Sequence, residues 1–245
     1  MSITSKMNIL AFNSSPRTEN GATDIILDKF LAGAKDAGAD IEKIYLKDKK
    51  INQCVGCFTC WTKTPGVCVF KDDVPDLLEK VKKTDIIVFA TPLYIFNMTS
   101  LMKIFIERMI MPLLDPHFIK SENLTTHPNR FKEMHEKWVI ISVCGFPEIE
   151  HFQALDLCFE QTAKSGGKEI IGKIYRPSSE MLKNKSAPML YKTYLENCYL
   201  AGKEVVKNGK VSKDTQEKLY KDFIIPKFLF RFMANRFWDK QINKI

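Results

Sequence analysis

Short apolar runs alternate with longer segments of helical spacing through the first three quarters of the chain. Residues 7–12 (MNILAF) form such a run, as expected of a strand covered on both faces. In residues 21–38, Ile26, Phe30, Ala34 and Ala37 share one helical face, and Gly38 is placed to end the helix. Residues 40–46 (DIEKIYL) alternate as a strand. Residues 72–83 (DDVPDLLEKVKK) predict a helix with acidic residues at its start. A second wholly apolar strand (85–90) and a strongly apolar helix (100–114) follow. Residues 115–136, with Pro116 and Pro128, read as an irregular insertion. A buried strand (137–144), a helix (149–167) and a fifth strand (168–175) complete the alternation.

Five strands alternating with helices predict an α/β fold with a parallel sheet. Right-handed crossovers leave few topologies, and the flavodoxin-like order 2-1-3-4-5 is a common one: a three-layer sandwich. In such sheets a ligand lies beyond the carboxyl ends of the strands. Chemistry is therefore expected in NSSPRTENGAT, TPLYIFNMT and GFPEIE. In the first loop, the hydroxyls of Ser14, Ser15 and Thr23 and the helix amides could cradle a phosphate, with Arg17 supplying charge. The alternative is that Ser and Asn only cap the helix. Neither a GxxxxGK[ST] nor a GxGxxG pattern is present. The second loop, Pro92, Leu93, Tyr94, Ile95, Phe96 and Asn97, is aromatic and apolar where a surface loop would be polar. That suits a flat heteroaromatic ring, unless Tyr94 and Phe96 plug the core.

Between the second strand and the next helix lies CVGCFTCWTKTPGVC, spacing Cys54, Cys57, Cys60 and Cys68 as C-x2-C-x2-C-x7-C. Zinc ribbons use two separated knuckles, and a thioredoxin-like motif needs one pair. Three cysteines at successive x2 steps can wrap three corners of a [4Fe–4S] cube, and a fourth can close it. Zinc, redox-active thiols or a packed loop are the rival readings. Cys144, Cys158 and Cys198 are isolated and read as core residues. His117, His127, His135 and His151 show no ligand spacing.

FNSSPRTENGAT followed by TPLYIFNMTSLMKIFIER resembles the NADPH-dependent FMN reductase and flavodoxin-like group over roughly residues 7–175. The cysteine loop, with KDDV after it, is similar to the iron-sulfur flavoprotein branch. The resemblance implies FMN as cofactor and NAD(P)H as co-substrate. Ser15, Arg17 and Thr23 match phosphate-binding positions, Pro92, Leu93, Tyr94 and Asn97 match the loop on the isoalloxazine, and Gly145 the backbone on the ring's other side. Ser14 stands where the group usually has Gly, and Ala22 where it has Asn. Glu107 replaces an Asp beside Arg108, a pair expected to be structural. The implied activity takes electrons from NAD(P)H, or a ferredoxin-like protein, to a quinone, a flavin or another small acceptor. A non-enzymatic electron carrier and a redox-sensing interaction protein are the alternatives. No catalytic side chain is expected, because the flavin carries the chemistry.

Length and charge adjust this picture only slightly. The 245 residues allow one large domain plus an appendage, divided as 1–185 and a helical extension 186–245. The opening MSITSK leads into a strand-like run rather than a leader, and no long apolar span interrupts the chain, so a cytoplasmic location is expected. The net charge of +8 suits anionic ligands, but no nucleic-acid motif accompanies it. In the tail, Phe228, Leu229, Phe232, Met233 and Phe237 form an aromatic stripe bordered by Lys227, Arg231, Arg236 and Lys240. Packing within a homodimer or homotetramer is preferred to contact with a membrane surface.

Overall fold

The computed structural model describes residues 6–121, 124–131, 136–184, 186, 188–221 and 225–243. Strands β1 (Asn8–Asn13), β2 (Asp40–Tyr45), β3 (Ile86–Pro92), β6 (Lys137–Val143) and β7 (Ile170–Arg176) form one parallel sheet. Its order is β2-β1-β3-β6-β7. Two short strands, β4 (Ile119–Ser121) and β5 (Leu124–Thr126), pair as an antiparallel hairpin outside that sheet. Without the hairpin the order is the expected 2-1-3-4-5. The hairpin corrects the irregular reading of 115–136. Its strands are three residues long, too short to show a period of two.

Side chains alternate across the sheet and so divide the core into two layers. Leu10, Phe12, Ile87, Phe89, Trp138 and Ile140 point to one face. There they meet α2 (Val74–Val81), α3 (Ser100–Leu113) and α4 (Gln153–Ser165). Ile9, Ala11, Val88, Ala90, Val139 and Ile141 point to the other, under α1 (Ala22–Asp36) and α5 (Lys192–Asn208). Helices α1 and α5 touch backbone to backbone. A Cβ on Gly33 would stand 1.9 Å from the Tyr199 carbonyl oxygen, and one on Gly202 1.9 Å from that of Phe30. Two glycines facing each other thus bind the C-terminal region to the first helix.

Helix α6 (Lys213–Tyr220) packs beside α5 and β7. Helix α7 (Lys227–Ile242) buries no residue, and Phe228, Phe232, Met233, Phe237, Trp238 and Ile242 are all exposed. At 100° per residue, Trp238 falls opposite the stripe expected at 228–237 and Ile242 about 40° beyond its Phe228 edge, so apolar residues lie around most of the helix. The one-sided amphipathic reading is therefore corrected. No helix among the described residues is long and apolar enough to cross a membrane.

Candidate functional site

The carboxyl ends of β1, β3 and β6 bring the three loops to one edge. The first is ordered from within. Buried Asn13 accepts from the Ser15 amide at 2.8 Å and donates to Asp24 at 2.8 Å. Asp24, also buried, accepts from Lys43 at 3.1 Å and from the Tyr45 hydroxyl at 3.0 Å. Ser14 accepts from the Thr99 hydroxyl at 2.8 Å, which joins this loop to the start of α3. Gly21 is the N-cap of α1, and no side chain caps the helix. The serines therefore do not serve as its cap, and no side-chain cap meets the positive end of the helix dipole there. A Cβ on Gly21 would lie 2.6 Å from Ser15 Oγ, so that space exists only because the residue is glycine. Thr23 is 1 % exposed, and its Oγ1 has no hydrogen-bond partner among the described residues. Arg17 stands at the rim, exposed, 3.1 Å from Glu180 Oε1.

The second loop is a tight turn in which the Tyr94 amide donates to Asn97 O at 2.8 Å and the Asn97 amide to Tyr94 O at 3.0 Å. Ile95 and Phe96 at its tip have φ of 47° and 61°. A β-branched residue in the left-handed region is strained by about 1–3 kcal/mol, a cost found mostly at functional positions. Ile95 is 92 % exposed, and Tyr94 and Phe96 are about half exposed, so neither aromatic plugs the core. Leu93 does pack on the core, anchored by its amide to Val143 O at 2.8 Å.

The third loop closes on the second. The His151 ring lies 5.7 Å from Phe96 and 4.4 Å from Phe146, centroid to centroid, and its Nε2 is 3.3 Å from Glu148. A Cβ on Gly145 would meet nothing within 4 Å, so open space borders that backbone. Cys144 beneath it is buried, which pushes its thiol up to about 11. Cys198 is also buried and Cys158 half-buried; all seven cysteines are free thiols. His117 bonds Asp115, His127 packs against Trp61 and Phe118, and His135 lies outside the described residues.

Cys54, Cys57, Cys60 and Cys68 line one small pocket together with Arg108. Burial, and then the negative charges of Cys68, Cys54 and Cys57, raise the Cys60 thiol. Cys57 is exposed, and hydrogen bonds from the Thr59 side chain and backbone lower its thiol. The loop's two ends are clasped by Asp72, which accepts from the Asn52 amide at 2.9 Å and from Arg108 at 2.8 and 3.1 Å. The carboxylate paired with Arg108 is thus Asp72 and not Glu107, whose partner is Lys103. On a helix, neighbouring residues 107 and 108 point about 100° apart, and only Arg108 faces inward. Asn13, Asp24, Asp72 and Thr99 escaped the sequence reading; the DD after the cysteine loop was the signal for Asp72.

A sequence model of the NADPH-dependent FMN reductase family matches residues 7–145. The chain belongs to that family. Among its relatives is an iron-sulfur flavoprotein of Archaeoglobus fulgidus, 38 % identical over 104 residues, covering 42 % of this chain and 46 % of that protein. Another, of Methanocaldococcus jannaschii, is 33 % identical over 102 residues, covering 42 % and 51 %. These matches bear out the resemblance to the iron-sulfur flavoprotein branch, although this FMN reductase family member spans only about half the length of the curated relatives it matches. In fold it is similar to an FMN-dependent NADH-azoreductase from Bacillus anthracis, with a TM-score of 0.58 at 15 % identity over 82 % of this chain and 98 % of that one.

Proposed function

We propose that this member of the FMN reductase family is an FMN-dependent oxidoreductase that takes electrons from NAD(P)H to a small acceptor such as a quinone or a flavin. The observation that carries the reading is the buried, unpartnered Thr23 hydroxyl beside an uncapped helix N-terminus. Burying a hydroxyl without a partner is costly, and a phosphate there would satisfy both the hydroxyl and the amides. In this reading Ser15, Thr23 and the α1 amides hold the phosphate, with Ser14 fixing the loop and Arg17 adding charge from the rim. Pro92, Leu93, Tyr94, Ile95, Phe96 and Asn97 form one wall for the ring, and the backbone at Gly145 leaves room for the other. When bound, FMN supplies the electron-transfer chemistry, so the protein's tasks are to bind, orient and shield.

Thr23→Val tests the reading without disturbing the fold, because the hydroxyl has no partner among the described residues to lose. FMN affinity should fall about 10-fold or more, since a hydrogen bond to a charged group is worth about 1.5–3 kcal/mol. The FMN-free variant should be at least as stable to unfolding as wild type, because it no longer buries a hydroxyl that no described residue partners. Arg17→Ala should weaken FMN similarly, less whatever its Glu180 pairing already costs. Equal FMN binding by titration calorimetry in wild type and both variants would sink the assignment.

The four-cysteine pocket favours a [4Fe–4S] cluster as a second centre, on Cys54, Cys57, Cys60 and Cys68. Four sulfurs around one zinc would lie about 3.8 Å apart, from a Zn–S distance of about 2.3 Å. Among the described residues no three His, Cys, Asp or Glu side chains converge to hold a single ion, yet all four thiols share one pocket. Four thiols lining one pocket match the ligand number of a cube. Such a centre would admit a ferredoxin-like donor.

Helix α7 supports assembly. A helix apolar around most of its circumference is ordinarily enclosed, whereas a membrane-surface helix needs one polar face. Sedimentation equilibrium should therefore find a homodimer or homotetramer that dissociates when residues 227–245 are deleted. A soluble assembly of unchanged size would refute this role.

A further inference from the structure

Arg108 is 1 % exposed and lies on the wall of the cysteine pocket. Three of its terminal N–H donors are committed: Nη1 donates to Asn52 O at 2.7 Å and to Asp72 at 2.8 Å, and Nη2 to Asp72 at 3.1 Å. Its Nε has no partner among the described residues. The Phe70 ring covers one face of the guanidinium, 4.9 Å from its central carbon. Burial opposes the charge of Arg108, and Asp72 and then Cys68 offset it, so Cys68 lies within reach of its field. A structural clasp needs only the Asp72 fork. It does not explain why a residue on the wall of the four-thiol pocket buries an N–H donor that no described residue partners.

We propose that Arg108 belongs to the cluster site, donating from its guanidinium to the sulfur shell at the Cys68 corner and thereby tuning the cluster's reduction potential. The proposal rests on the reading that the four cysteines hold [4Fe–4S]. A cluster bound by four thiolates carries net negative charge, which grows by one when it accepts an electron. A fixed cation in a water-poor pocket favours the more negative form, and hydrogen bonds to cluster sulfur act in the same direction. Arginine suits the task because it never deprotonates in a protein and its planar fork can serve Asp72 and the cluster at once. Asp72 holds the fork in register, so it acts as a positioning residue.

The test uses anaerobically prepared holoprotein in which only arginine carries nitrogen-15, reduced by dithionite, which supplies the single electron. Pulsed electron paramagnetic resonance of the reduced cluster should show a nitrogen-15 coupling. In Arg108→Lys the cluster signal should persist, the coupling should vanish and the midpoint potential should fall. A wild-type cluster signal without nitrogen-15 coupling overturns the proposal, as does a coupling that survives in Arg108→Lys. Should that variant fail to fold, the labelled wild type alone decides. Iron-free protein with no cluster signal would overturn the proposal together with the cluster reading, and is distinguished by the missing signal itself.

Discussion

Asp72→Ala should destabilise the protein by about 3–5 kcal/mol in guanidinium unfolding, because it strands a buried cation. The Asp72 carboxylate is 0 % exposed and Arg108 1 %. Asp72 also accepts from the Asn52 amide and side chain, each at 2.9 Å, and from the Val74 amide at 3.2 Å. Its removal therefore loosens both ends of the cysteine loop as well as the ion pair. The pH dependence gives a second readout. Burial alone would raise this carboxyl, but the bonds from Arg108, Asn52 and Val74 prevail and hold it at about 2, against an ordinary 3.8. A carboxyl depressed in the folded state contributes stability above its unfolded value and loses it as the pH falls through the folded one. The wild type should lose about 2–3 kcal/mol of stability between pH ~5 and pH ~1 from this group. Asp72→Ala should lose correspondingly less over that window. A variant as stable as wild type, with the same acid profile, would show that the clasp is not what holds the loop.

Cys57→Ala should abolish iron binding while leaving FMN in place. Anaerobically produced wild type is expected to carry about four irons per chain, and the variant well under one. Cys57 is exposed, so its truncation leaves no buried cavity and should barely alter stability. Its thiol is already lowered by Thr59, which eases formation of the thiolate that a metal requires. The loops at 13–23, 91–97 and 144–151 lie outside the cysteine pocket, so the flavin content should not follow the iron. Iron and flavin analysis of the two proteins checks both statements. Iron-free wild type from an anaerobic preparation, or FMN lost in step with iron, would contradict them.

The alternation of apolar runs was enough to place the five core strands, their helices and the three loops at the carboxyl edge. Strands buried on both faces must be apolar along their whole length, whereas the edge strand β2 alternates, and each pattern leaves a plain mark on the chain. The C-x2-C-x2-C-x7-C spacing likewise marked the pocket's four thiols, because residues this close in sequence are kept near one another by the chain itself. The short hairpin at 119–126 left no such mark, being shorter than any periodic signal.

Partnership across the chain was not legible. Asp72 is 36 residues from Arg108, while Glu107 stands next to it, and only the inward turn of α3 chooses between the two carboxylates. The buried Asn13–Asp24–Lys43 chain and the Ser14–Thr99 bond likewise join segments brought together only by sheet pairing. Whether Ser14 and Ser15 capped α1 depended on backbone angles at Gly21, which residue types alone do not set. The amino-acid order determined which residues could be buried and which could bind. Tertiary packing decided which buried polar atoms found partners within the protein, and which, Thr23 Oγ1 and Arg108 Nε among them, found none among the described residues. The physical reason is that burial charges the full cost of desolvation to every polar atom, while a partner's position is fixed only once distant segments have met.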